Sequence, residues 1–189
     1  MKPILSFLSL ICLSIINFIT LIFSCQAQVK PDNTLLENTI LKFQGNTTII
    51  QGGTQVGNNL FHSFQDFSIN TGNIVYFNNS LEIQNIISRV TGKSVSRING
   101  LIRNNGQSNL LIINPNGIIF GKDAHLDIGG SFLGTTADSI KFSNSIEFSA
   151  SEHSSNLLTV STPIGLVFRS NSGEIIVQNQ VLMMPESLN

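Results

Sequence analysis

Two textures divide the chain. From Ile4 through Phe23 the residues are almost unbroken apolar, after Lys2, and the run ends in the polar stretch Ser24-Cys25-Gln26-Ala27-Gln28. From Asn46 onward the pattern changes to short apolar runs, rich in β-branched and aromatic residues and bounded by Asn, Gly or Ser, which is the signature of strands and turns. Strands are predicted at Thr47–Ile50, Ile74–Phe77, Ile86–Val90, Leu101–Ile102, Leu110–Ile113, Ile118–Phe120, Leu126–Ile128, Ile146–Phe148, Leu157–Val160, Leu166–Phe168 and Ile175–Val177. No window holds a 3.6-residue apolar period of useful length, so little or no helix is expected beyond the leader.

The first 27 residues read as a secretory signal peptide, with Cys25 at −3, Ala27 at −1 and cleavage between Ala27 and Gln28. An uncleaved anchor needs about 20 apolar residues, and Ser6, Ser9, Ser14, Asn17 and Thr20 interrupt this run. A lesser alternative is a surface lipoprotein acylated at Cys25, since Ile22-Phe23-Ser24-Cys25 resembles a lipobox apart from the bulky Phe23. The two cysteines, Cys12 and Cys25, both precede the cut, so the exported part is expected to contain neither a disulfide nor a thiolate metal site.

Spacing offers a weaker clue. Asn99-Gly100-Leu101-Ile102 and Asn116-Gly117-Ile118-Ile119 echo each other 17 residues apart, near the circumference expected of a parallel β-helix, and later echoes at Gly165 and Gly173 do not keep the interval. A β-sandwich produces a similar strand pattern. The solenoid accounts more directly for an interior of stacked Ile, Leu, Val and Phe, and for Asn at about an eighth of the exported chain, because turn amides can stack from coil to coil.

Charge then removes several classes. Charged residues are 11% of the chain, against roughly a quarter in ordinary domains, and the basic ones are scattered singly, which argues against a nucleic-acid surface. His62, His125 and His153 share no metal-ligand spacing, and surface or core placement is expected for each. Asp123 and Asp127 are the one tight acidic pair, read as turn solvation, while Asp66, Asp138 and Glu147 stand apart. Gly130-Ser131-Phe132-Leu133-Gly134 misses the nucleophile-elbow spacing, and Gly52-Gly53-Thr54-Gln55-Val56-Gly57 lacks the lysine of a phosphate loop. Phe61, Phe64 and Phe67 are expected in the core or plugging the N-terminal end of the stack. No cofactor is predicted.

The segment Asn114-Pro115-Asn116-Gly117-Ile118 predicts a rigid corner between two buried strands: Pro115 fixes φ and pushes Asn114 toward extended backbone, and Asn116 and Gly117 both tolerate positive φ. It resembles the NPNGI signature of the secretion domain that heads two-partner-secretion exoproteins of the filamentous-haemagglutinin kind, also called the haemagglutination activity domain. Gly52–Ile69, Asn85–Gly92, Ser96–Ile102 and Leu126–Ala137 resemble the cyanobacterial version of that domain in the same order, and Thr162–Phe168 does so more weakly. The second family signature, NPNL, is replaced by Asn78-Asn79-Ser80-Leu81.

The resemblance implies an all-β, right-handed parallel β-helix with an N-terminal cap, preceded by a signal-peptide helix. It implies boundaries of 1–27 for the signal peptide, 28–45 for the lead-in, 46–178 for the secretion domain and 179–189 for a tail that begins a truncated passenger. It further implies export through the Sec machinery and recognition by the POTRA domains of a TpsB-type outer-membrane β-barrel, aided by Asn114–Ile118, with delivery to the cell surface. A host or cell-surface glycan would be the target of a downstream passenger. A β-helical carbohydrate-active enzyme remains the alternative from another class.

Overall fold

The computed structural model describes residues 29–152, 158–169 and 171–178, and all regular structure among them is strand. The expected leader helix, the Ala27-Gln28 cut, His153 and the 179–189 tail lie outside the described residues. β1 (Val29–Pro31) and β2 (Thr39–Gln44) form a lead-in. β3 (Thr47–Gly52), β4 (Thr54–Val56) and the long β5 (Asn59–Phe67) follow, then β6 (Ile74–Phe77), β7 (Asn85–Val90) and β8 (Ser96–Ile98), then β9 (Leu101–Asn104), β10 (Asn109–Ile113) and β11 (Ile118–Phe120). After β12 (His125–Asp127) and β13 (Phe132–Thr135) the chain leaves to make β14 (Ser139–Phe142), β15 (Glu147–Ser149) and β16 (Pro163–Val167), and returns as β17 (Ile175–Val177).

Three parallel sheets result, β3-β6-β9-β12, β5-β7-β10-β13 and β8-β11-β17, wound as a β-solenoid of about three turns. The lead-in adds antiparallel strands at the N-terminal side, β2 on β3 and β1 on β5, while β14, β15 and β16 form a separate antiparallel sheet. Strand positions at Ile74–Phe77, Ile118–Phe120 and Ile175–Val177 coincide with the sequence expectation. Leu158, Thr159 and Val160 are not in a strand.

The turn repeat corrects the expected 17-residue step. Leu60 pairs with Ile86, Ile86 with Leu110 and Leu110 with Phe132, so one circuit takes 22–27 residues across the three faces. The two Asn-Gly echoes open β9 and β11, which are different faces of the same rung. Similar corners follow one another around a coil as well as along the stack, which is why the echo did not repeat at its interval.

In-register pairing places apolar residues on apolar residues. Leu60, Ile86, Leu110 and Phe132 form one column inside the stack, and Val75 and Ile102 another. Each such side chain contributes roughly 1.5–3 kcal/mol on full burial. The β5 sheet is covered on both faces, as near-continuous burial along β5 and β7 shows. Leu60 and Phe64 point inward, whereas Phe61 and Ile87 face outward under Ile140, Phe142 and Phe148 of the antiparallel sheet. The register shift where β1 meets β5 returns Phe67 to the interior, so the three phenylalanines are all core despite their three-residue spacing.

An imidazole is enclosed among the core aromatic rings. His62 is 1% exposed, its Nδ1 lies 3.1 Å from the Thr39 hydroxyl, and its ring packs against Phe64 and Phe77. Burial holds its pKa down at about 3, against about 6.5 in an unfolded chain. Between those values the unfolded state binds the extra proton, so this contribution is fully present above pH 6.5 and declines as pH falls, by about 1.4 kcal/mol per pH unit. Urea unfolding between pH 7 and pH 4 is expected to show that loss, with a clearly shallower pH slope in His62→Gln.

Candidate functional site

The corner at Asn114–Ile118 ties together three distant parts of the chain. Asn114 is fully buried, and its Nδ2 donates to the Ser94 carbonyl (3.0 Å) and the Ser96 hydroxyl (2.9 Å) of the preceding turn. Its Oδ1 accepts from the backbone N–H (3.0 Å) and the Nδ2 (2.9 Å) of Asn116. Asn116 Nδ2 also reaches the Gly92 carbonyl at 2.8 Å, and the Gly117 N–H closes the turn on the Asn114 carbonyl at 3.1 Å. The turn is thus an Asx-type corner with Pro115 at its second position. Of the Asn116-Gly117 pair, both of which tolerate positive φ, Gly117 alone uses it, at +125°.

The same corner marks where the chain leaves the stack and where it comes back. The Asn114 N–H donates to the Thr135 carbonyl at the end of β13, just before the antiparallel excursion. On return, the Gly173 N–H donates to the Pro115 carbonyl at 2.7 Å, and the Ile118 N–H donates to the Glu174 carbonyl at 3.0 Å. A Cβ on Gly173 would stand 2.3 Å from Asn116 backbone atoms, so only glycine allows this approach. The relaxed sequence at Asn78–Leu81 makes a related corner: Asn79 is buried, exchanges hydrogen bonds with Asn105 one turn further on and reaches the Ser108 hydroxyl, while Leu81 is exposed.

A second polar cluster, not anticipated from the sequence, lies on the outer side of β7. Arg89 is 3% exposed and donates to Ser63 Oγ (2.8 Å), Thr34 Oγ1 (2.8 Å) and the Ser149 carbonyl (2.6 Å), with its guanidinium 4.4 Å from the Phe148 ring centre. Those hydroxyls donate in turn to Asp32, as does Thr91. Burial lowers the Arg89 pKa to about 10, partly opposed by the Asp32 charge. For Asp32, burial acts to raise the pKa, yet hydrogen bonds from Thr91, Thr34 and Ser63 together hold it below its ordinary value. The cluster joins the lead-in, two turns of the solenoid and the antiparallel cover. Its one visible trace in the sequence is an arginine inside the apolar run Asn85–Val90; nothing in the spacing connects it to Asp32.

The remaining chemistry-bearing residues are dispersed. Asp123 accepts from Thr71 Oγ1 (3.0 Å), and Asp127 lies 3.6 Å from Arg103. His125 is exposed, with Nδ1 2.8 Å from the Asp123 carbonyl. Among the described residues no group of three or more His, Cys, Asp or Glu side chains is placed to hold a metal ion, and no helix is long and apolar enough to cross a membrane.

Comparison with known families bears on this arrangement: the family model described as the TPS secretion domain matches residues 27–185. The chain belongs to the TPS secretion domain family. It is thus the secretion domain of a two-partner-secretion exoprotein, a class of exported substrates whose partner is a TpsB outer-membrane transporter. The TPS family is one of secretion domains and not an enzyme family. No curated protein matches the chain.

In this TPS domain the corner and the arginine cluster are structural fastenings whose strength is measurable. Asn114→Ala strands two donors and two acceptors and is expected to cost about 3 kcal/mol in chemical denaturation, against about 1 kcal/mol for Asn116→Ala, whose site is only partly buried. Arg89→Met leaves Asp32 without its counter-charge and is expected to lose roughly 3–5 kcal/mol. The double variant with Asp32→Asn should lose less than the sum of the two single changes in the same measurement.

Proposed function

We propose that this domain is recognised by the POTRA domains of its transporter while still unfolded, after Sec-dependent passage and removal of the leader, and that it folds only on emerging at the cell surface. The observation that carries this reading is the closure of the Asn114–Ile118 corner by Ser94 and Ser96 from one side and by Gly173 and Glu174 from the other. Until residues near 174 are free to return, the Pro115 carbonyl, the Ile118 N–H and the edge of β11 that meets β17 lack their folded partners. An extended chain in that condition offers strand edges to a receptor sheet by β-augmentation. The folded domain, by contrast, hides Asn114 completely.

Stacking of successive turns then buries the apolar columns, at about 25 cal/mol per Å², and opposes retreat into the pore without nucleotide hydrolysis. On this reading the Asn114–Ile118 segment acts in recognition as an unfolded sequence and afterwards as a fastening, and the domain itself performs no catalysis. Purified POTRA domains are expected to bind urea-unfolded, leaderless chain diluted into buffer and to ignore the folded chain, as measured by rapid-mixing fluorescence anisotropy. Equal affinity for the folded chain would sink the extended-chain reading.

A further inference from the structure

The geometry points to a binding groove for an acidic oligosaccharide on the outer side of the β8-β11-β17 sheet, separate from the Asn114–Ile118 corner. A depression of about 510 Å³ runs across three turns there, and Asn70, Arg97, Asn99, Ile119, Lys122 and Gln178 line it. Its floor is built by the stack itself: Arg97 pairs in register with Ile119, Ile119 with Ile176, and the buried Ile69 and Ile98 bridge beneath.

Its rim is a polar ladder, in which Asn99 Nδ2 donates to Thr71 Oγ1 and Asn99 Oδ1 accepts from the Asp123 N–H at 3.0 Å. Asp123 is the carboxylate in contact with this rim, where it is engaged by Thr71 Oγ1 at 3.0 Å. The two cations are uncommitted by comparison: among the described residues neither the Arg97 nor the Lys122 side chain has a hydrogen-bond or ion-pair partner, whereas Arg103 and Arg169 pair with Asp127 and Glu152.

The chemistry of the lining selects the ligand class. Planar amides and the guanidinium offer directional donors and acceptors to sugar hydroxyls and to a carboxylate, a match that a bidentate arginine makes well. The partly exposed Ile119 in the floor offers an apolar contact to the C–H face of a pyranose ring. A nucleic acid would instead call for stacking rings and a longer basic track, and the groove is lined by no aromatic side chain. Successive rungs are about 4.8 Å apart; Arg97 stands over Ile119 of the next turn and Lys122 follows three residues further on, so a linear chain lying obliquely across these two turns of the groove meets both.

The test is calorimetric titration of the folded full chain, at low ionic strength, with a short oligogalacturonate. A neutral gluco-oligosaccharide and a single-stranded oligonucleotide serve as comparators. Binding of the uronate alone is expected, weakened at least tenfold in Arg97→Ala/Lys122→Ala and unchanged in Lys42→Ala/Lys141→Ala, which removes two exposed cations elsewhere. Both double variants should keep the wild-type melting temperature. Absence of uronate binding, equal weakening in the two double variants, or equal binding of either comparator would each overturn the assignment.

Discussion

A parallel stack has no local way to close its hydrogen bonds. Apart from β17, which reaches β11 only after the antiparallel excursion, the strands of the three parallel sheets meet their partners 22–27 residues away, and at every corner the backbone turns out of the ladder and needs other partners. Asparagine meets that need because one carboxamide both donates and accepts, so it can face the turn before it and the turn after it at once. Asn59, Asn85 and Asn109 do so in register: Asn85 Nδ2 donates to Asn59 Oδ1, Asn109 Nδ2 donates to Asn85 Oδ1, and the run ends on the Ser131 N–H, all at 2.9 Å. Asn59 turns its own Nδ2 to the Thr159 and Ser161 carbonyls, bringing the segment after the antiparallel cover into the same chain of bonds. An aspartate at these positions, which accepts but does not donate, would satisfy one neighbour and leave the other without a partner.

The same logic connects packing to export. Apolar columns supply stabilisation only when successive turns are stacked, and the polar corners allow stacking in a single register. The cover on the β5 sheet adds a second condition, because Phe61 and Ile87 point away from the solenoid interior and need Phe142 and Phe148 above them. Arg89 fixes the cover to the lead-in at that seam. Folding therefore draws on the whole described chain, which fits a domain belonging to a family of exported substrates.

Much of the architecture was legible in the residues. Short β-branched runs between Asn and Gly gave the strand positions, and the Asn114–Ile118 corner was visible as a turn, because these features depend on local backbone preference. The coil length was misjudged because chemically similar corners recur within one rung. β13 and β14, like β2 and β5, were not among the predicted strands; Phe132–Thr135 alternates weakly and takes its strand character from β10 one turn earlier, while Ser139–Phe142 takes its from β15 and β16 of the antiparallel cover. Burial of His62 and Arg89 was invisible for the same reason: whether such a side chain is solvated or enclosed is decided by residues as distant as Thr39 and Ser149.

The excursion from Thr135 to Gly173 interrupts a single rung, and both of its ends are held at one corner, by Asn114 and by Pro115. A segment pinned in this way is a side branch whose size is decoupled from the pitch of the coil. Residues could be added to or removed from its exposed turns while β17 still finds β11, so this is the position at which the molecule can change its outward shape without altering its winding.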